Sequence, residues 1–176
     1  EKTAQNHKTA REFVTKHKEE PFFLYFSPLA IHSPVEEVPQ KYLERVPAGV
    51  TDKMRRYLAG SLIAADDAIG KLLAAIKKHG LEKDTLTVFT GDNGGLVKDG
   101  ARNDPYKGGK NTMWDGGVHE PYIVKWTGTI PAGRRYTGLI SVLDVYATAA
   151  VVAGKEAPPA CDGKNFLPYM TGEKQG

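Results

Sequence analysis

Between positions 53 and 79, apolar residues recur at spacings of three and four: Leu58, Leu62, Ala65, Ile69, Leu72, Leu73 and Ile76. That period gives one apolar face and predicts a long amphipathic helix. Thr51 or Asp52 can cap its start, and Gly80 stands where a left-handed C-terminal residue is wanted. Asp66 is in register with Leu62, Ile69 and Leu73, so it is expected on the buried face, with Asp67 turned away to solvent. Before this helix, Phe22-Phe23-Leu24-Tyr25-Phe26 is a short run that is apolar throughout, the pattern of a strand buried on both faces. After it, Leu86–Phe89 and Pro121–Val124 read as two further strands, and Val142–Ala153 as a helix ending at Gly154. A charged stretch from about Thr9 to Glu20 reads as a surface helix, a short helix is expected near Gln40–Arg45, and the tail from Pro158 reads as irregular.

Strand, helix, strand, loop, strand, helix is α/β alternation. It predicts a mainly parallel sheet flanked by helices, in one domain over residues 1–176. The segment from Gly91 to Glu120 has no periodicity, and a loop of that length inside a compact domain is usually functional or disordered. Ligands of such sheets bind beyond the carboxyl ends of the strands. The loop with His32, the turn with Asp92 and Asn93, and the loop with Lys110 are all expected at that edge.

Composition narrows the class only modestly. The chain has 176 residues, 40% apolar and 26% charged, an ordinary globular balance with a core of useful size. The net charge of +3 is spread along the chain and gives no reason to invoke nucleic acid. The one cysteine, Cys161, excludes an internal disulfide and a cysteine-rich metal site. No apolar run approaches the roughly 20 residues of a membrane span, and the chain carries no signal for a compartment.

Three places carry candidate chemistry. Asp92 and Asn93 sit in Gly91-Asp92-Asn93-Gly94-Gly95, directly after a predicted strand. Their oxygens suit a hard cation such as Ca²⁺ or Mg²⁺, and the same residues also suit a plain turn. Two ligands do not make a divalent site, so partners must come from elsewhere. His32 follows the first predicted strand; an imidazole there can donate to an anion or protonate a leaving oxygen, or be merely structural. Lys110 lies in Tyr106-Lys107-Gly108-Gly109-Lys110. This is no phosphate-binding P-loop, because Asp104 replaces the required glycine and Asn111 the required Ser or Thr. A lysine there can hold an oxyanion as a point charge or remain solvated. His119 closes the long loop and is a further candidate for substrate contact.

In order along the chain, these segments resemble the type I sulfatases of the alkaline phosphatase superfamily. Pro21–Tyr25 through His32-Ser33-Pro34 is similar to that family's strand and histidine loop. Ala65–Gly70 matches its long helix, and Thr87–Gly95 is close to its second metal motif. Pro105–Lys110 through Trp114–Gly117 matches its lysine loop, and Asp162-Gly163 through Thr171-Gly172 the segment closing its large domain. The resemblance implies an alkaline-phosphatase-like fold and hydrolysis of aryl or carbohydrate sulfate esters. It implies Asp92 and Asn93 as metal ligands, usually of calcium, with His32 and Lys110 holding the sulfate ester and His32 near the leaving oxygen. It also implies periplasm, lysosome or secretion.

The family's nucleophile is a formylglycine made within a Cys/Ser-x-Pro/Ala-x-Arg motif, and that motif is absent. Cys161 is followed by Asp162-Gly163-Lys164-Asn165, and none of Ser27, Ser33, Ser61 or Ser141 starts the pattern. The acidic pair of the first metal motif is missing too. The chain is therefore expected to be the later part of a catalytic domain, without the nucleophile region or the smaller C-terminal subdomain, and inactive by itself. A phosphodiesterase or phosphonate hydrolase of the same superfamily is the alternative enzyme. A non-catalytic pseudoenzyme that binds sulfated glycans is the alternative outside catalysis.

Overall fold

The computed structural model describes residues 2–32, 34 and 37–174, with side chains from Lys8 onward. Ser33 of the predicted histidine loop lies outside them. The chain forms two compact units, Glu1–Leu81 with Asn93–His119, and Glu82–Asp92 with Glu120–Gly176.

In the first unit, helices α1 (Lys2–Lys16) and α2 (Gln40–Leu43) pack against α3 (Lys53–Lys78). The opening helix thus begins earlier than the sequence pattern suggested and ends sooner. Asp52 is the cap of α3: its side chain accepts from the Arg55 amide at 2.8 Å. Replacing Asp52 by alanine leaves that amide without its partner and is expected to cost about 1 kcal/mol of stability, read by urea unfolding. At the other end Gly80 takes φ 72°, the left-handed conformation expected after the last turn.

The buried stripe of α3 corrects one reading. Ser61, Ala65, Ala68 and Ile76 are buried, whereas Leu62 is 56% exposed and Asp66 is exposed with it. Small residues face α1 and α2 because they allow close approach; a Cβ on Gly60 would sit 2.9 Å from Val38 Cγ1 and 3.0 Å from Leu43 Cδ2. The packed face keeps Ala65 and Ile76 of the predicted stripe, leaves its leucines at best partly covered, and extends toward Ser61 and Ala68. Asp67, not Asp66, is the anchored carboxylate, taking a two-pronged bond from Arg45 at 2.6 and 2.9 Å.

The Arg45 hydrogen bond holds the Asp67 carboxyl below its ordinary value of 3.8 against a weaker desolvation that acts the other way. A carboxylate with a depressed folded pKa stabilises above its unfolded value and loses that effect as the pH falls through the folded one. Asp67→Asn is therefore expected to lower Tm slightly at pH 7, the pair being near solvent. The gap between variant and wild type should close as thermal melts are taken below pH 3.8.

Residues 21–30 alternate between exposed and partly covered, with Phe23 70% and Tyr25 80% exposed. The period of two marks extended backbone. Phe22–Phe26 is thus not the strand buried on both faces that the apolar run predicted. Among the described residues it joins no ladder, the one sheet being formed by Thr87–Thr90 and Tyr122–Lys125.

In the second unit, β1 (Thr87–Thr90) pairs with β2 (Tyr122–Lys125) in antiparallel register, Val88 opposite Val124 and Phe89 opposite Ile123. This corrects the parallel arrangement expected from the alternation. A parallel return needs a crossover of a dozen or more residues, usually one helix. The intervening chain holds only a single 3₁₀ turn, Val97–Asp99, and α4 (Asp115–Val118). Helix α5 (Asp144–Val152) buries Ala147 and Thr148, and the Thr148 hydroxyl accepts from the Phe166 amide at 3.0 Å. That bond leads into α6 (Leu167–Thr171), an element in the tail that lacks enough turns to show a period. Phe166 stands edge-on to Tyr122 at 6.0 Å. Burial, aided by the Asp144 charge, pushes the Tyr122 phenol up to about 12. Among the described residues no helix is long and apolar enough to cross a membrane.

Candidate active site

The long segment after β1 is held by main-chain hydrogen bonds together with the side chains of Asn103 and Thr112. Within the first unit, the Gly94 amide donates to the Gly117 carbonyl at 3.0 Å, Gly116 to Lys107 at 2.9 Å, and Lys110 to Gly95 at 3.3 Å. The strands of this network run too close for side chains. A Cβ on Gly94 would enter the Gly116 carbonyl, 2.8 Å from its carbon and 2.9 Å from Gly117 Cα. One on Gly109 would stand 2.6 Å from Asn103 Nδ2, and one on Gly116 2.6 Å from the Gly108 oxygen. Gly94, Gly109, Gly116 and Gly117 thus form a seam in which turns touch backbone to backbone, while Gly95 and Gly108 meet the side chains of Ala101, Thr112 and Trp114.

Lys110 emerges from this seam. Asn111 follows it at φ 71°, a left-handed conformation that asparagine tolerates, so the chain turns immediately after the lysine. Its Nζ lies 3.1 Å from His32 Nε2. Lysine has no acceptor and a neutral imidazole has one. The short approach therefore makes Lys110 the donor and places the ring proton on Nδ1, a tautomer assigned from this pairing. Two of the predicted site residues, far apart in sequence, meet in space.

Asn93 belongs to the same unit. Its Oδ1 is buried and has no hydrogen-bond partner among the described residues. An amide oxygen left so is costly unless something electropositive takes it up. Asp92, which follows β1 in the second unit, is exposed. A carboxylate and an amide oxygen from consecutive residues are hard donors of the kind Ca²⁺ and Mg²⁺ accept, so the residues present fit part of such a site. No group of three or more His, Cys, Asp and Glu converges for an ion among the described residues.

His119 is exposed and stacks on Tyr106, ring centres 4.4 Å apart. Sequence reasoning passed over Asn103. Its Oδ1 accepts from the Gly95 amide at 2.9 Å, and its Nδ2 donates to Gly95 O at 3.0 Å and Gly108 O at 2.9 Å. In Arg102-Asn103-Asp104-Pro105 an asparagine looks like ordinary turn chemistry, and nothing in the string distinguishes it.

Comparison with known proteins decides the family. The sulfatase family model matches residues 2–155. The chain belongs to the sulfatase family. The N-acetylgalactosamine-6-sulfatase of Rattus norvegicus is 34% identical over 169 residues, covering 92% of this chain and 31% of that protein. The crystal structure of Ps i-CgsB in complex with k-i-k-neocarrahexaose matches at TM-score 0.91 and 35% identity, over 98% of this chain and 39% of that one. A phosphonate monoester hydrolase from Silicibacter pomeroyi matches less well, at TM-score 0.59 and 30% identity over 69% of this chain and 23% of that one. This sulfatase chain spans about a third of the length of the relatives it matches. Its resemblance to the sulfatases holds in three dimensions, and the fold is a mixed helix-and-sheet member of that group.

Proposed function

We propose that this chain is the later part of a sulfatase catalytic domain, and that the full-length protein hydrolyses sulfate esters. The observation that carries the reading is the approach of Lys110 Nζ to His32 Nε2 at 3.1 Å. Two nitrogens converging from separate loops form a cradle for an oxyanion. Lys110 would hold a sulfate oxygen through its fixed positive charge. With Lys110 drawn onto the anion, a doubly protonated His32 ring would present its Nε2–H to the leaving oxygen. His32 can then give a proton to the departing alcohol oxygen. Charge on the transferring group would meet preset donors rather than reorienting water, usually the largest contribution in such sites.

Asp92 and Asn93 would hold a divalent cation, Ca²⁺ with Mg²⁺ as the alternative, together with acidic ligands from the N-terminal part of the domain. That cation supplies positive charge against the ester oxygens when bound. The nucleophile, a formylglycine by family resemblance, would come from the same part. His119 and Tyr106 would border the substrate. Sulfated sugars are favoured over simple aryl sulfates, because relatives include an N-acetylgalactosamine-6-sulfatase and a structure with bound neocarrahexaose.

The test is hydrolysis of 4-nitrophenyl sulfate and of matched sulfated and phosphorylated sugars by the full-length protein. Preference for sulfate supports the reading, and preference for phosphate or phosphonate esters would replace it with the activity of the phosphonate hydrolase relative. The 176-residue chain by itself, given Ca²⁺, is expected to release no nitrophenol. Robust metal-dependent turnover would sink the proposal that the nucleophile lies elsewhere. Binding of sulfated oligosaccharide by a full-length protein that lacks a nucleophile would establish the non-catalytic alternative.

A further inference from the structure

We propose that Asn103 is the positioning residue for Lys110, clamping the lysine loop to the turn that carries Asn93; this rests on the sulfatase reading above. One carboxamide satisfies three backbone groups. It accepts from Gly95 N–H at 2.9 Å and donates to Gly95 O at 3.0 Å and to Gly108 O at 2.9 Å. Gly95 lies two residues after Asn93, and Gly108 two before Lys110. The Lys110 amide in turn donates to the same Gly95 carbonyl, at 3.3 Å. Gly95 is therefore gripped at both its polar groups by one side chain and bonded by the lysine's own backbone.

The glycine seam explains why such a clamp is needed. Only a few side chains stand between the turns, Ala101 at Gly95, Val97 at Gly109 and Trp114 at Gly108, so register rests largely on hydrogen bonds. The space beside Gly109 is shared by the Gly95 carbonyl and the asparagine: a Cβ there would meet the Gly95 oxygen and stand 2.6 Å from Nδ2. A shift of the lysine loop by an ångström would carry Nζ out of reach of its partner on His32.

Asparagine is the one residue of its size that offers both an acceptor and a two-proton donor. Aspartate keeps the acceptor for Gly95 N–H but sets a negative oxygen against two carbonyls. The experiment uses three variants of the full-length protein, Asn103→Ala, Asn103→Asp and Lys110→Ala, with the double variant of the first and last. On 4-nitrophenyl sulfate, Asn103→Ala is expected to lower kcat/KM by about 100-fold. Lys110→Ala should then cost much less in the Asn103→Ala background than alone, because the first change has already misplaced the lysine. Asn103→Asp, which preserves shape, should not restore activity. Strict additivity, or rescue by aspartate, would overturn the proposal.

A second measurement does not need turnover. Amide hydrogen exchange should show loss of protection at Gly95 and Lys110 in Asn103→Ala, and at Lys110 but not Gly95 in Asn103→Asp. Unchanged Lys110 exchange in both variants would overturn the clamp. Should the wild-type protein cleave no sulfate ester at all, the sulfatase reading falls, and the exchange pattern still decides on Asn103.

Discussion

Lys110→Ala in the full-length protein is expected to reduce kcat/KM for a sulfate ester by about 100- to 1,000-fold, the range for removing one preset donor from a charge-stabilising site. The argument rests on geometry. Lys110 follows the closely packed glycine turns, and its ammonium stands 3.1 Å from His32 Nε2. Without it the sulfate loses a point charge, and the imidazole loses the neighbour that orients it. Lys110→Arg is not expected to restore the rate, since a planar guanidinium needs more room than a compact ammonium and spreads its charge. Steady-state kinetics with the folded variant decides the matter. A loss below tenfold would remove Lys110 from the site.

Gly94→Ala is expected to destabilise the protein by about 3 kcal/mol, at the upper end of what overpacking costs. The added methyl would lie inside the Gly116 carbonyl, 2.8 Å from its carbon and 2.9 Å from Gly117 Cα. Both are main-chain atoms, so no rotamer change can make room. The turns must part, and the Gly94–Gly117 hydrogen bond of 3.0 Å parts with them. Gly70 supplies the control. It lies within α3 with nothing within 4 Å of a Cβ, so Gly70→Ala should stabilise by about 0.5–1 kcal/mol. The same substitution at two sites isolates the surroundings: if both variants destabilise alike in urea, crowding at Gly94 is not the cause.

Local periodicity carried much of the helical structure. The α3 pattern spans seven turns, and its cap at Asp52 and left-handed Gly80 are single-residue signals with one physical meaning each. Which face packs was harder to read. Leu62 is more hydrophobic than Ala65 or Ala68, yet the alanines are buried because neighbouring helices come close there. Hydrophobicity ranks residues, and close packing selects by size. Strand direction was not legible at all, since the apolar run in β2 reads the same whichever way it pairs. Within the site, Asp92, Asn93, His32 and Lys110 stood out as residue types capable of ion or anion chemistry, and the structure brings His32 and Lys110 together. Asn103 stayed hidden because its role depends on three main-chain groups that only folding assembles.

The seam of glycines also has a bearing on how the site can change over generations. Where turns meet main chain to main chain, almost every single substitution meets a wall, so natural variation has no graded steps to explore there. The backbone on which the lysine sits is consequently hard to alter by one substitution. Freedom begins a few residues away, where His119 and Tyr106 stack in the open with room for other rings and charges. Substitutions at those two positions leave the packed turns untouched.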